Sequence, residues 1–345
     1  MSDSATRWMH RLVLAGVMLC LLVVVLGAYV RLTAAGLGCP DWPGCYGHLT
    51  PAAASADAAQ AVHAGRPLDA GKAWREMIHR YAAATLTLVI IAITALAMTT
   101  RRKRLVNVRL ALVLFATVLV QALLGMLTVT WQLKPLVVTL HLLFGLTTLA
   151  ILWWLNLSLP VTSWGAASLG SAAHSLRGGA FSIESARRLA ILGLAALVVQ
   201  IALGGWTSSN YAALACPDFP TCQGAWAPHA DFRGAFVLWH GLNVDYEGGV
   251  LTNPARIAIQ LTHRLGALIA AAALAGAALY SLRRRGLSGV RLRAWAVLGA
   301  LALQLAIGIA MVLRGFPLWL ATAHTAGAAL LLLATLALVR SLSAR

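Results

Sequence analysis

A chain of 345 residues in which 60% are apolar and only 11% charged cannot be a soluble globular protein, where about a quarter of residues carry charge. Its formal net charge of +17 raises a nucleic-acid partner, but the cations fall in short runs between apolar stretches, which is the pattern of membrane topology. An all-α integral membrane protein is expected, with lipid around it and no nucleic acid.

A helix needs about 20 apolar residues to cross roughly 30 Å of hydrocarbon. Eight such stretches are predicted, near 11–31, 77–99, 106–130, 136–158, 187–208, 256–281, 292–313 and 317–339. The first follows Arg7 and Arg11 and has the look of a secretory signal. Its apolar run is about 20 residues rather than about 7–15, so it is expected to stay in the mature protein. If the spans alternate, Arg7, Arg11, Arg101, Arg102, Lys103, Arg104, Arg109, Arg177, Arg187, Arg188, Arg283, Arg284, Arg285, Arg291, Arg293, Arg340 and Arg345 all lie on one side, opposed by Asp3 and Glu184 alone. The positive-inside tendency makes that side, and both termini, cytoplasmic.

The chain says nearly the same thing twice. "GAYVRLTAAGLGCPDWPGCYG" from Gly27 aligns without a gap on "GGWTSSNYAALACPDFPTCQG" from Gly204, an offset of 177 residues. "IHRYAAATL" around His79 matches "THRLGALIA" around His263, and "TLHLLFG" around His141 matches "TAHTAG" around His324, at offsets of 184 and 183. A duplicated unit of four spans follows. The most economical arrangement is two tandem up-and-down four-helix bundles related by an axis along the membrane normal. The segment 159–186 has no repeat partner and reads as linker, which sets domain limits at 1–165, 166–186 and 187–345.

Cys39 and Cys45 sit six apart in the first outer loop, and Cys216 and Cys222 repeat that spacing in the third. Outside the cytoplasm such pairs close as disulfides, each stabilising by roughly 2 kcal/mol through so small a ring. A thiol pair with redox or ligand-handling duty is the alternative. Cys20, unrepeated and inside the first span, reads as a small apolar residue. "QALLG" at Gln121, "QIALG" at Gln200 and "QLAIG" at Gln304 read first as helix-packing segments and second as ligand contacts. Trp164, Trp226, Trp239 and Trp319 read as interfacial anchors.

Of ten histidines, only His79, His141, His263 and His324 fall in predicted spans, and all four are repeated. Polar groups within a membrane are expensive and tend to be functional. A satisfied structural imidazole is the bland alternative. These residues open the second and fourth helices of each half, at similar depth on diagonal helices roughly 11–14 Å apart when neighbours are about 8–10 Å apart. Two imidazoles give a small ion too few ligands, whereas haem brings its own nitrogens and leaves two axial positions. Arg80 and Arg264 directly follow two of these histidines and are candidate propionate partners. Lys134, Arg256 and Arg314 lie at the same boundary, with snorkelling as the competing role for Lys134 and Arg314. The halves part at "EMIH" against "QLTH": Glu76 shares a helix face with His79 where the other copy has Gln260. A carboxylate in one copy only points to proton chemistry there, or else to a helix-start acid favoured by the dipole.

With eight spans in two halves, "EMIHR", "LTHR", "TLHLLFG", "ATAHTAG" and the loop cysteines, the whole chain resembles the haem A synthase family. That resemblance implies a membrane oxidoreductase that oxidises the C8 methyl of haem O to the formyl of haem A for cytochrome oxidase assembly. It implies haem O at His79 and His141 with Glu76 in catalysis, and a haem b cofactor at His263 and His324. It implies as partners the farnesyl-transferring haem O synthase and an unidentified electron donor, in the bacterial inner membrane with the cysteine loops periplasmic. A homo-oligomer is left open. The rival reading is a dihaem b-type, quinone-linked electron carrier that oxidises no substrate; a third is a haem transporter or chaperone.

Overall fold

The computed structural model describes residues 2–56, 67–101, 106–159, 180–241, 244–283 and 288–343. Eight of its helices are long and apolar enough to cross a membrane. They are α1 (Ser2–Leu32), α3 (Ala70–Thr99), α4 (Val108–Thr130), α5 (Pro135–Ser158), α6 (Ala180–Ser209), α8 (Asn253–Leu282), α9 (Ser288–Leu313) and α10 (Leu318–Ser343). Two short helices, α2 (Pro51–Ala56) and α7 (Phe232–Ala235), lie in the long loops. The helices outrun the predicted spans where polar turns continue the apolar ones, so that His10 also falls within α1. Of the linker placed at 166–186, residues 180–186 are the start of α6 and the remainder lies outside the described residues. Arg102, Lys103, Arg104, Trp164, Arg177, Arg284, Arg285 and Arg345 also lie outside them.

Helix ends follow local chemistry. Asp69 accepts from the Lys72 amide at 3.0 Å to cap α3, and Asn107 accepts from the Arg109 amide at 3.0 Å to cap α4. Pro135 opens α5, where a missing N–H costs nothing.

In the first half α1 packs on α3, α3 on α4, α4 on α5 and α5 back on α1. The second half repeats the ring with α6, α8, α9 and α10. The diagonal pairs are therefore α3 with α5 and α8 with α10, the helices that carry the repeated histidines. Between the halves α5 packs on α10, α1 on α10 and α5 on α6, contacts that a twofold axis along the bundle exchanges. α5 and α10 are thus central, while α3 and α8 lie away from the seam.

Small residues bring the seam together. A Cβ on Gly205 would stand 3.1 Å from Leu142 Cδ2 and 3.2 Å from Thr139 Cγ2. Polar contacts there are satisfied within the protein, as the absence of water in a membrane demands: Trp153 Nε1 donates to the Leu333 carbonyl at 2.9 Å, and Thr139 and Ser209 hydroxyls lie 3.3 Å apart. At one end Arg31 Nη2 donates to the Ser208 carbonyl at 2.8 Å and its guanidinium lies 4.1 Å from the Tyr211 ring centroid. Arg31→Met is expected to lower stability by about 1–3 kcal/mol through loss of this clamp, read as the thermal midpoint of detergent-solubilised protein. Exposed Arg314→Met is expected to shift it by less than about 0.5 kcal/mol.

Candidate functional site

Each half sets a disulfide loop on the helix that bears its first histidine. Cys39 is bonded to Cys45 and Cys216 to Cys222, the first of the two alternatives read from the spacing. Within the loops an aspartate organises the turn. Asp41 accepts from the amides of Tyr46 at 2.6 Å and Gly47 at 2.8 Å; Asp218 accepts from those of Gln223 at 2.6 Å and Gly224 at 3.0 Å. The turn places Gly47 at φ 78° and Gly224 at φ 76°, a region glycine enters without steric cost. Hydrogen bonds from Thr221 first, then from Gly224, hold the Asp218 carboxyl below the usual carboxylate range.

Arg80 and Arg264, expected to face propionates, have their guanidiniums in these loops. Arg80 Nη1 donates to the carbonyls of Asp41 at 2.9 Å, Pro43 at 3.3 Å and Gly44. Arg264 donates to the carbonyls of Thr221 and Asp218 at 2.7 Å each, and of Pro220 and Cys216 at 3.3 Å each. Both act as clamps between loop and helix. Lys134, 2% exposed, packs its ammonium over the Trp239 ring and donates to the Gly241 carbonyl at 3.1 Å. Trp239 therefore forms part of a lysine cage together with Trp131, whose ring meets its edge at 5.8 Å. Arg256 donates to Gly249 and Gly248 carbonyls at 3.2 and 3.3 Å.

Glu76 is 4% exposed, in the second turn of α3, too deep for an exposed helix-start acid. Its Oε2 accepts from the Cys39 amide at 2.8 Å, and its Oε1 pairs with Arg80 Nη2. The carboxylate thus ties helix, clamp and disulfide loop together. Gln260, equally buried, occupies the matching place with its Oε1 unpartnered. In the first half the loop comes very close to α3: a Cβ on Gly38 would lie 2.7 Å from the Lys72 carbonyl carbon; the other copy has Ala215 at this place, in a turn that packs on α8.

The four histidines are each half-buried and point into their bundles. His79 and His141 are electrostatic neighbours across the first, and His263 and His324 across the second. Against every imidazole stands a glycine of the adjacent helix. A Cβ on Gly27 would lie 3.1 Å from His79 Cε1, on Gly125 3.2 Å from His141 Cε1, on Gly204 3.2 Å from His263 Cε1, and on Gly308 3.0 Å from His324 Cε1. The glutamines expected mainly to pack helices reach these rings instead. Gln121 Nε2 lies 3.5 Å from His141 Nε2, Gln200 Nε2 3.1 Å from His263 Nδ1, and Gln304 Nε2 3.3 Å from both His324 ring nitrogens. The signal was present in the sequence as Gln-x-x-x-Gly, a spacing that puts both residues on one helix face.

The donor set fits haem. Each half offers two half-buried imidazoles on diagonal helices, and Nδ1 of both His79 and His141 is buried without a hydrogen-bond partner. Among the described residues no three His, Cys, Asp or Glu side chains come together to hold a bare ion.

Two tandem four-helix bundles, each with a histidine pair on diagonal helices and one with a buried carboxylate beside them, define a duplicated membrane protein with a matched polar site in each half. The family described as Cytochrome oxidase assembly protein matches residues 10–336, and the chain belongs to it. It is 39% identical over 330 residues to a heme A synthase of Shewanella oneidensis, covering 94% of this chain and 93% of that one. It is 31% identical over 334 residues to one of Caulobacter sp., covering 90% and 89%, and 26% identical over 313 residues to one of Bacillus licheniformis, covering 88% and 86%.

Because Gly38 lets the loop seat on α3, Gly38→Ala is expected to cost about 1–3 kcal/mol and to free the Cys39 amide from Glu76. Ala215→Gly in the other half should change stability by less than about 1 kcal/mol. Thermal unfolding of the two variants checks both.

Proposed function

We propose that this protein is a haem A synthase that oxidises the C8 methyl of haem O to a formyl group. Replacing two methyl hydrogens by one oxygen atom is a four-electron oxidation, CH3 + H2O → CHO + 4 H+ + 4 e− in half-reaction form, whose electrons pass to an external oxidant of the dioxygen class and whose protons need an acceptor next to one haem only. The observation that carries this reading is Glu76, buried beside His79, against neutral Gln260 beside His263.

On this reading His79 and His141 hold the iron of haem O as substrate. His263 and His324 hold haem b, which supplies one-electron transfer. Glu76 accepts and passes protons. The Cys39 amide and Arg80 fix the direction in which the carboxylate points, so the disulfide loop acts on the reaction through Glu76. Propionates reaching the outer boundary meet Arg80 and Arg264 only by competing with loop carbonyls. The protein takes its substrate from a farnesyl-transferring haem O synthase and exchanges electrons with a separate donor. It sits in the bacterial inner membrane, with basic loops cytoplasmic and disulfide loops periplasmic.

Glu76→Gln is expected to lower turnover about 100-fold or more at unchanged haem content; retained turnover removes the proton role. Pigment extraction separates the enzyme from the electron carrier. Haem O and haem A alongside haem B support the enzyme, while haem B alone at two per chain supports the carrier.

A further inference from the structure

Three of the four imidazoles share a device that the fourth lacks. In Gln121–Gly125, Gln200–Gly204 and Gln304–Gly308 the glycine faces a histidine ring and the glutamine, one turn away, approaches the same ring. Gln200 and Gln304 also donate to the backbone carbonyls of His263 and His324, at 3.0 and 3.1 Å, which anchors each amide to the helix of its histidine. Room for the amide comes from a glycine one turn beyond each histidine: Gly145 lies against Gln121, Gly266 against Gln200 and Gly327 against Gln304, and a Cβ at any of the three would crowd the glutamine.

At His79 both parts of the device are missing. Gly27 still faces the ring, but the residue four before it is Val23, which the repeat aligns with Gln200. The residue aligned with Gly266 is Ala82. His79 Nδ1 is buried with no partner, as is Nδ1 of His141, but His141 has Gln121 at its other ring nitrogen and among the described residues no amide reaches the His79 ring. The amide is missing from α1 at Val23, and the space for it is missing from α3 at Ala82, on the helix that also bears Glu76.

We propose that Gln121, Gln200 and Gln304 are positioning residues that would hold their imidazoles in place as lasting iron ligands, and that His79 would be the ligand free to turn away. This rests on the haem reading above. The first half then has one position where a small molecule can replace an imidazole, one turn from the carboxylate, while the second half stays closed on both sides. A ring held by an amide must break that contact before it can rotate; His79 has no such contact to break.

Carbon monoxide titration of purified, dithionite-reduced protein carrying haem in both halves tests this. One haem of the two is expected to bind the gas in the wild type. Val23→Gln combined with Ala82→Gly should weaken that binding about fivefold to tenfold, the worth of one hydrogen bond. Gln304→Leu should make the second haem reactive as well, and decides the matter if the first variant loses pigment. Binding to neither haem or to both in the wild type, or variants that leave reactivity unchanged at full haem content, would overturn the proposal. Protein without pigment would overturn the haem reading first and this inference with it.

Discussion

An imidazole inside a membrane bundle needs space for its ring and a partner for its nitrogens, because neither lipid nor bulk water supplies one. In this protein the space comes from glycine. Gly27, Gly125, Gly204 and Gly308 each allow a helix to approach a histidine ring where any Cβ would stand within about van der Waals contact of it. Every other feature of the two sites is arranged around that approach: the order of helices in each ring, the diagonal placement of α3 with α5 and α8 with α10, and the three glutamines that precede a glycine by one turn.

Duplication made two such sites, and the differences between them gather in the first. Glu76 replaces Gln260, Gly38 replaces Ala215, and Val23 with Ala82 replaces Gln200 with Gly266. These are not scattered changes. Glu76 bonds the Cys39 amide next to Gly38, and it stands one turn from the imidazole that has lost its glutamine. Packing alone gives no reason for loop seating, carboxylate and ring tether to differ together around one histidine. The proposed function gives that reason: a reaction centre in one half beside an electron site in the other.

Much of this was legible before any coordinates. Period and length locate spans because the hydrocarbon thickness admits few alternatives, and the repeat pairs the histidines and cysteines without geometry. The Glu76 asymmetry was visible as one mismatched letter. What could not be read was where side chains point once helices rotate about their axes. Gln121, Gln200 and Gln304 look like packing residues because a glutamine among apolar neighbours can satisfy itself on any adjacent helix. Arg80 and Arg264 look like propionate ligands because the sequence does not show that loop carbonyls converge on them. Trp239 sits near a span end like an anchor, but a distant buried lysine, Lys134, uses its ring.

The position of each histidine in the assembly bears on its duty. His141 and His324 ride on α5 and α10, which pack on each other at the seam, so moving either ring would disturb contacts between the halves. Both carry a glutamine. His79 and His263 ride on the outer helices α3 and α8, where a ring can move without strain at the seam, and there the two copies diverge: His263 keeps its tether and His79 does not. A mobile ligand is tolerable only on an outer helix, and useful only in the half that has a carboxylate. α3 of the first half is the one helix that meets both conditions.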